Sequence, residues 1–246
     1  MATKNTSNKT KTPKKVDSRS LKNKIIRFLY RIMLCFFGLS IVSVILFKFI
    51  PIPFTPLMAI RVIENTIDGK EIYFSHDWEP IGHISNNLQK AVIASEDGTF
   101  LTHHGFDFTA MKKAFKNNER GRRIKGGSTI SQQTAKNVFL WQGRSYLRKG
   151  LEAYFTVLIE LIWGKERIME VYLNSIEMGD GVYGAQAATE YWYQKDASSL
   201  TKNQAAGIAA ILPNPRKYSA TSSSSYINNR KTKIVRIMKY LGKIEY

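Results

Sequence analysis

The sequence predicts a mainly α-helical protein: one membrane-spanning helix, followed by an α-helical domain with a small β-hairpin element. Three observations predict this. Residues 32–47 carry no charge, apolar residues recur at helical spacing between Leu88 and Leu241, and residues 59–74 alternate around a turn-forming Asp-Gly pair. We therefore divide the 246 residues into a basic tail (1–24), an anchor (25–54) and a domain (55–246).

The tail is strongly basic. Residues 1–31 hold ten Lys or Arg and a single acid, Asp17. The part up to about Ser20 has almost no apolar side chains, so it cannot bury enough surface to offset chain entropy, and we predict that it is disordered. A nucleic-acid-binding arm is the other interpretation of such a tail. The apolar run that follows favours a membrane protein with no nucleic-acid partner.

The uncharged run from Ile32 to Phe47 is sixteen residues long, slightly short of the ~20 that a spanning helix needs. Arg31 and Lys48 can extend their charged ends to the interface, and two further apolar residues lengthen the run. A buried core helix and a cleaved signal peptide are the alternatives. The length of the run, with no clear small-residue cleavage site after it, favours an uncleaved anchor in contact with membrane lipids. Cys35, the only cysteine, lies inside this run, so we expect no disulfide.

The distribution of cations predicts the orientation of the anchor. Ten Lys or Arg precede the span, whereas beyond Lys48 at its edge only Arg61, Lys70 and Lys90 lie between its end and Glu96. Because positive charge is retained on the cytoplasmic side, the tail is predicted to be cytoplasmic and the domain to lie outside.

The start of the domain is predicted from proline and turn residues. Pro51, Pro53 and Pro56 make a stiff exit from the anchor. The stretch from Ala59 to Phe74 alternates partly on both sides of Asp68-Gly69, which predicts a short hairpin.

Helical patterns dominate the remainder. Leu88, Ala91, Val92 and Ser95 share one face of a helix that ends near Glu96, and a second helix has apolar residues spaced from 108 to 115. A capping box at Thr201–Gln204 begins an Ala-rich helix, and the basic segment from Tyr226 has apolar residues that pack back on the core. The basic, Gly-containing loop 119–127 is predicted to be mobile.

Two carboxylates bracket a segment rich in hydrogen-bonding side chains and cations. Glu96 lies between apolar residues, which suggests a partly desolvated carboxylate suited to a general base. Ser128 follows two glycines and is the expected N-cap of a helix whose free amides suit an anion. Gln133 and Lys136 share a face of that helix with Thr129. Glu152 follows Arg148 by four residues, the spacing of an ordinary helical ion pair.

Three ordered blocks resemble the glycosyltransferase domain shared by class A penicillin-binding proteins and monofunctional peptidoglycan glycosyltransferases. Residues 96–105 match Glu-Asp-x-x-Phe-x-x-His-x-Gly, residues 126–133 match Gly-x-Ser-Thr-Ile-[Ser/Thr]-Gln-Gln, and residues 148–152 match Arg-Lys-x-x-Glu. The likeness runs from about Trp78 to the C-terminus. It implies a lysozyme-like α-helical glycosyltransferase domain, which polymerises lipid II into glycan strands at the bacterial cytoplasmic membrane.

The resemblance also implies roles. Glu96 is the base that takes the proton of the acceptor sugar's 4-hydroxyl, and Glu152 is the second essential carboxylate. Lys136 and Arg144 hold the donor's pyrophosphate. The full substrate-binding set is Ser128, Thr129, Gln132, Gln133, Lys136, Asn137, Arg144, Arg148 and Lys149. The supporting set is Asp97, Phe100, His104 and Gly105.

The resemblance leaves two functions open for Glu152, because it could orient the cations or bind a divalent cation (Mg²⁺ or Mn²⁺) on the substrate pyrophosphate. No organic cofactor is expected, and adjacent His103 and His104 seldom point to one metal. The resemblance allows for partners among other cell-wall synthesis or division proteins, besides lipid II and the nascent glycan strand.

A fourth stretch, residues 170–184, also resembles the family, where it builds the cleft wall; we expect Tyr172 and Asn174 to be structural. The family usually continues with an aromatic-Gly-Lys sequence. Here Gln194 replaces that glycine, which is expected to change a local turn and not the chemistry.

Two other functions compete with the polymerase. A lysozyme-like muramidase would cleave glycan with one protonated Glu, but does not call for Lys136, Arg144 and the Ser128 block. An inactive anchored scaffold of the wall-synthesis machinery predicts losses in the motifs, and the three main blocks show none.

Overall fold

The computed structural model of the protein describes residues 18–119, 127–143 and 145–246. The chain divides into two compact units, the first ending at Ser43 and the second beginning at Val44. The first part of the tail, most of the loop 119–127 and the predicted phosphate-site residue Arg144 lie outside the described residues.

The described chain is mainly helical, as predicted. Its helices are α1 Ser18–Phe49, α2 Pro56–Ile67, α3 Asn86–Glu96, α4 Phe108–Glu119, α5 Ile130–Phe139, α6 Tyr146–Ile162, α7 Gly164–Ser175, α8 Ala185–Tyr193, α9 Lys202–Ile211 and α10 Ser225–Met238. Its strands are β1 Ser75–His76, β2 Glu177–Gly179 and β3 Val182–Tyr183.

The predicted anchor is a single helix, α1. Its segment Lys22–Phe49 is the one helix in the described chain that is long and apolar enough to cross a membrane. The helix begins at Ser18, so the last seven residues of the predicted tail, 18–24, are helical. This stretch contains neither Gly nor Pro, and adding turns to an existing helix costs little compared with nucleating one.

The hairpin predicted at residues 59–74 is wrong, because most of that stretch is the helix α2. Thr55 accepts a hydrogen bond from the amide of Met58, and proline occupies the first turn. Asp68 is the C-cap and Gly69 has φ +62°. The amide of Lys70 bonds to the carbonyl of Asn65, and that of Gly69 bonds to the carbonyl of Thr66. This is a Schellman motif, so the Asp-Gly pair ends a helix and does not turn a hairpin.

The predicted hairpin element exists elsewhere in the chain. Strands β2 and β3 pair antiparallel around another Asp-Gly turn, Asp180-Gly181, and β1 adds in parallel on the other side of β3, giving the order β1-β3-β2. Gly181 has φ +72°, which suits the tight turn. Local sequence alone does not distinguish this Asp-Gly pair from the one at the end of α2.

Helix α9 packs against both α3 and α10, which also contact each other. All of its residues from Ala205 to Ile211 are buried, and the small side chains allow close approach. The predicted capping box is confirmed: Thr201 accepts from the amide of Gln204, whose side chain accepts in return. The predicted C-terminal helix, α10, buries Ile227, Ile234 and Met238 against the core. On the other side, α5 packs against α6 and α7.

Gln194, which stands where the resemblance leads us to expect glycine, ends α8. It is the one non-glycine residue of the described chain with a positive φ, 53°. Gln194 therefore adopts the left-handed conformation that favours glycine, and with its Cβ this conformation costs roughly 1–2 kcal/mol.

We expect Gln194→Gly to stabilise the domain by up to about 1 kcal/mol, because relief of the left-handed strain outweighs the greater entropy of glycine in the unfolded chain. Thermal unfolding of the detergent-solubilised protein measures it. Lys195→Gly, at the exposed neighbouring position, serves as the control and should destabilise. A fall in the melting temperature for both variants would contradict the assignment of strain to Gln194.

Candidate active site

Glu96 is the last residue of α3 and is half-buried. Helix α3 packs against α9. Ser85 caps the start of α3 by accepting a hydrogen bond from the amide of Asn87. Two neutral donors hold the Glu96 carboxylate. The hydroxyl of Ser95 donates to Oε1 at 3.0 Å, and Nε2 of Gln133 donates to Oε2 at 3.2 Å. The structure therefore brings Glu96 and Gln133 together.

Helix α5 begins one residue later than predicted, because Thr129 and not Ser128 is its N-cap. The Thr129 hydroxyl accepts from the amide of Gln132 (3.2 Å), and Oε1 of Gln132 accepts from the amide of Thr129 (3.0 Å). Only this register places a glutamine at the third helical position and completes a capping box. Ser128 is exposed and remains free to line the cleft.

The cap assignment predicts a contrast between neighbours. Thr129→Ala should destabilise the protein by about 1–3 kcal/mol, because it removes the cap and also the 2.7 Å bond from the Thr129 hydroxyl to the carbonyl of Gly105. Ser128→Ala should change stability by less than about 0.5 kcal/mol. Chemical denaturation of the two variants measures this. Equal losses, or a larger loss for Ser128→Ala, would contradict the assignment.

The predicted anion site at the start of α5 is wrong, since a carboxylate of the protein already occupies it. Oδ2 of buried Asp97 accepts from the amide of Ile130 at 2.9 Å. A negative charge at this position is stabilised by the free amides and by the helix dipole. Asp97 therefore supports the site, as predicted, by fixing α5 relative to the loop after Glu96.

The histidine that supports this loop is His103 and not the predicted His104. The amide of Gly105 donates to Nδ1 of His103 (3.1 Å), so Nε2 carries the proton and donates to Oδ2 of Asp97 at 2.9 Å. His104 is exposed. The sequence motif could have identified His103, since the histidine of Glu-Asp-x-x-Phe-x-x-His-x-Gly falls at position 103.

Phe100 and Gly105, two of the predicted supporting residues, lie close to His103 and to α6, respectively. The Phe100 side chain is fully buried, with its ring centroid 6.3 Å from that of His103. Gly105 has φ +88°, and a Cβ there would lie 2.9 Å from Cγ2 of Thr156. Only glycine fits this position without movement of α6.

Three predicted substrate-binding residues on α5 point inward. Thr129, Gln132 and Asn137 are each less than 5 % exposed. For the first two, the capping box explains the burial. They support the helix and do not face an open cleft. Gln133 and Lys136, the other two predicted members on this helix, are half-buried.

Lys136 makes no hydrogen bond or ion pair with any described residue. Burial lowers the pKa of its ammonium, Glu152 opposes that shift, and the positive charges of Arg148, Lys149 and Arg61 lower the pKa further. A half-buried cation without a partner, surrounded by other cations, indicates a position that an anion completes.

Glu152 is 3 % exposed and is held by two cations from the preceding turn of α6. Its Oε2 accepts from Nη1 of Arg148 at 2.8 Å, and its Oε1 accepts from Nζ of Lys149 at 2.5 Å. Ser145 caps the helix by accepting from the amide of Arg148 (3.1 Å). Nε of Arg148 is buried and has no hydrogen-bond partner in the described chain, which leaves a second cationic donor unsatisfied beside Lys136.

Tyr172 contributes more than the structural role expected for it. It is fully buried on α7, and its hydroxyl donates to Oε1 of Gln133 at 3.4 Å. Burial raises the pKa of this phenol well above its ordinary value, and the charges of Glu96 and Asp97 add to the shift. Tyr172 therefore stays neutral and orients the amide that contacts Glu96. Asn174 is structural as expected, with its side chain bonded to the backbone of Glu79 in both directions at 2.8 Å.

The site thus has two chemically different ends joined by α5. At one end, a half-buried carboxylate accepts bonds from neutral donors and can take a proton from a hydroxyl. At the other end, Lys136, Arg148 and Lys149 surround one carboxylate and retain unused donors, which suits an anionic group with several oxygens.

Comparisons with known proteins show what the chain is similar to. A family model described as "Transglycosylase" matches residues 64–239, starting earlier than the likeness seen in the sequence. The chain is 51 % identical over 222 residues to a biosynthetic peptidoglycan transglycosylase of Pseudomonas syringae pv. syringae, covering 90 % of this chain and 94 % of that protein. Proteins of the same name from Caulobacter vibrioides (56 % identical, 79 % and 82 % covered) and Bacteroides thetaiotaomicron (50 %, 89 % and 89 %) are also similar.

Proposed function

We infer the reaction of this protein from one premise: the chain belongs to the transglycosylase family. It is a peptidoglycan glycosyltransferase of cell-wall synthesis, with lipid II and the glycan strand as the substrates that this family implies. The observation that supports a specific reaction is the pairing of Glu96, held by neutral donors, with a cationic end at Lys136, Arg148 and Lys149.

In the proposed reaction, Glu96 takes the proton from the 4-hydroxyl of the acceptor sugar. The oxygen attacks the anomeric carbon of the donor from the side opposite its pyrophosphate, and the bond from that carbon to the phosphate oxygen breaks. The electron pair leaves with the lipid pyrophosphate, so the configuration inverts. Because pyrophosphate is a stable anion, the reaction needs cations at the leaving group and no strong general acid.

The proposed phosphate site consists of Lys136, Arg148 and Lys149, with Arg144 added by resemblance. Glu152 holds two of these cations in place. Both Glu152 oxygens already accept a bond from a cation, so a divalent ion bound there would meet repulsion from the charges of Arg148 and Lys149. The residues present do not fit a metal on Glu152. We therefore assign Glu152 the first of its two expected functions, orientation of the cations.

We propose that α1 anchors the enzyme in the bacterial cytoplasmic membrane, with the N-terminus in the cytoplasm and the catalytic unit on the extracytoplasmic, periplasmic side. The excess of cations before the span supports this orientation. A reporter that works only outside the cytoplasm should be active when fused after Tyr246, and a reporter that works only in the cytoplasm should be active at the N-terminus. The opposite pattern would overturn both the orientation and access to an extracytoplasmic substrate.

Incubation of the purified full chain with lipid II, followed by gel separation of the products, tests the proposed reaction. A ladder of glycan strands is expected. Solubilisation of finished peptidoglycan, measured in parallel, would instead support the muramidase, and neither activity would support the inactive scaffold.

A further inference from the structure

Ser95 precedes the proposed base in α3, and its side-chain oxygen has polar neighbours from three helices. The oxygen lies 3.0 Å from Oε1 of Glu96, 3.1 Å from the carbonyl oxygen of Ala209 on α9 and 3.3 Å from Nη2 of Arg230 on α10. A hydroxyl has one hydrogen to donate and two lone pairs, so these three partners occupy all of its hydrogen-bonding capacity.

The sequence at the end of α9 makes two backbone carbonyls available. Pro213 has no amide hydrogen, so the carbonyl of Ala209 lacks the donor that the fourth residue along a helix normally supplies. The carbonyl of Ala210, the next residue, accepts from Nε of Arg230 at 3.0 Å. Side chains from α3 and α10 therefore bond to the backbone groups at the end of α9.

Arg230 on α10 is half-buried and bonds in two directions. Its Nε donates to the carbonyl of Ala210, and its Nη2 donates to the oxygen of Ser95. Two donors of one planar guanidinium that bond to different helices fix its plane as well as its position. No carboxylate of the described chain forms an ion pair with Arg230, so none neutralises its charge at contact distance.

The bond from Arg230 determines how the Ser95 hydroxyl is used. A guanidinium can only donate, so it occupies a lone pair of the Ser95 oxygen and leaves the hydroxyl hydrogen for Glu96 or for the carbonyl of Ala209. An ionised carboxylate is a stronger acceptor than a neutral carbonyl. The hydrogen therefore points to Glu96 while that carboxylate is ionised, and the carbonyl of Ala209 can accept it once Glu96 has taken a proton.

We propose that Arg230 and Ser95 are positioning residues of the general base: Arg230 fixes and polarises the Ser95 hydroxyl, which holds the Glu96 carboxylate in place for the acceptor sugar. This rests on the function proposed above. A hydroxyl that accepts from a cation becomes a stronger donor, because hydrogen bonds in a chain polarise one another. Both residues lie outside the three blocks, since Ser95 precedes the first and Arg230 lies far beyond the last.

A purely structural role for Arg230 is the rival explanation, because its bond to Ala210 also joins α10 to α9. Ile234 on the same helix provides the matched control. It is 4 % exposed and belongs to the hydrophobic core. Ile234→Val weakens the packing of α10 by the loss of one carbon, while Arg230 and Ser95 keep their bonds.

The experiment is a double-mutant cycle in the full chain with lipid II as the substrate. Ser95→Ala should lower kcat about five- to twentyfold and Arg230→Gln about three- to tenfold. Each should change KM by less than about twofold, because the base acts in the transition state. The double variant should match Ser95→Ala within about twofold, since Arg230 acts through the Ser95 hydroxyl. Ile234→Val should lower the melting temperature and keep kcat within about twofold.

The proposal fails if the two losses of kcat multiply in the double variant, or if Ser95→Ala keeps wild-type kcat. It also fails if KM rises as much as kcat falls, or if Ile234→Val lowers kcat as Arg230→Gln does, because Arg230 is then structural. If Arg230→Gln does not fold, Arg230→Met, which keeps the apolar stem, takes its place in every measurement. A wild-type protein that does not polymerise lipid II would instead overturn the proposed function, and this proposal with it.

Discussion

Glu96→Gln is expected to abolish polymerisation of lipid II, with loss of activity of about 10²–10⁴-fold or more, while the protein still folds and binds substrate. An amide cannot take the proton of the acceptor hydroxyl. Its carbonyl oxygen can still accept from the hydroxyl of Ser95 or the amide of Gln133, the two donors that hold the native carboxylate. Gel separation of glycan products measures turnover, and a binding assay with lipid II measures occupancy.

Glu190→Gln is the matched control for this substitution. Glu190 on α8 also accepts a hydrogen bond from a glutamine amide, Nε2 of Gln186 at 2.9 Å, but it is exposed and outside the site. It should retain wild-type turnover. Turnover above a tenth of wild type in Glu96→Gln would remove Glu96 from the role of base.

Lys136→Ala should lower kcat by about 10²–10³-fold, the range for removing one donor aimed at developing charge. A leaving pyrophosphate gains negative charge in the transition state, so the ammonium contributes more to rate than to ground-state binding. Lys136→Arg should restore only part of kcat, because a planar guanidinium group does not replace a compact ammonium group. By resemblance, Arg144→Ala should behave like Lys136→Ala. A glycan hydrolase has no phosphate leaving group and should tolerate both alanine changes far better.

The pH dependence gives Lys136 a separate test. Burial lowers the pKa of its ammonium, so activity should decline as pH rises through that lowered pKa, below the usual range for lysine. Lys136→Arg should remove this decline of activity at high pH, because arginine stays protonated over the whole pH range. Lys233→Ala, on the exposed face of α10, is the control and should change neither rate nor profile. Near wild-type polymerisation by Lys136→Ala and Arg144→Ala would overturn the phosphate-site assignment and favour the lysozyme-like alternative.

The elements that the sequence predicted well are those stabilised by neighbours three or four residues away. Helix α3 with Glu96 at its end, the capping box at Thr201, the C-terminal helix α10 and the Arg148–Glu152 pair all follow from helical spacing. The apolar helix α1 follows from a continuous uncharged run. The three blocks predicted a set of candidate site residues, and three members of that set on α5 face inward.

The tertiary structure decided which of several equivalent local patterns was used. Two Asp-Gly pairs have similar sequence surroundings, but the pair at Asp68 caps α2 while the pair at Asp180 turns the hairpin, which β1 joins from over a hundred residues away. The sequence predicts free amides at the start of α5, but it does not predict which anion binds them. That anion is the carboxylate of Asp97, more than thirty residues earlier in the chain. Such contacts join residues far apart in the chain. The helical or strand periodicity of a segment does not show which distant residue will contact it.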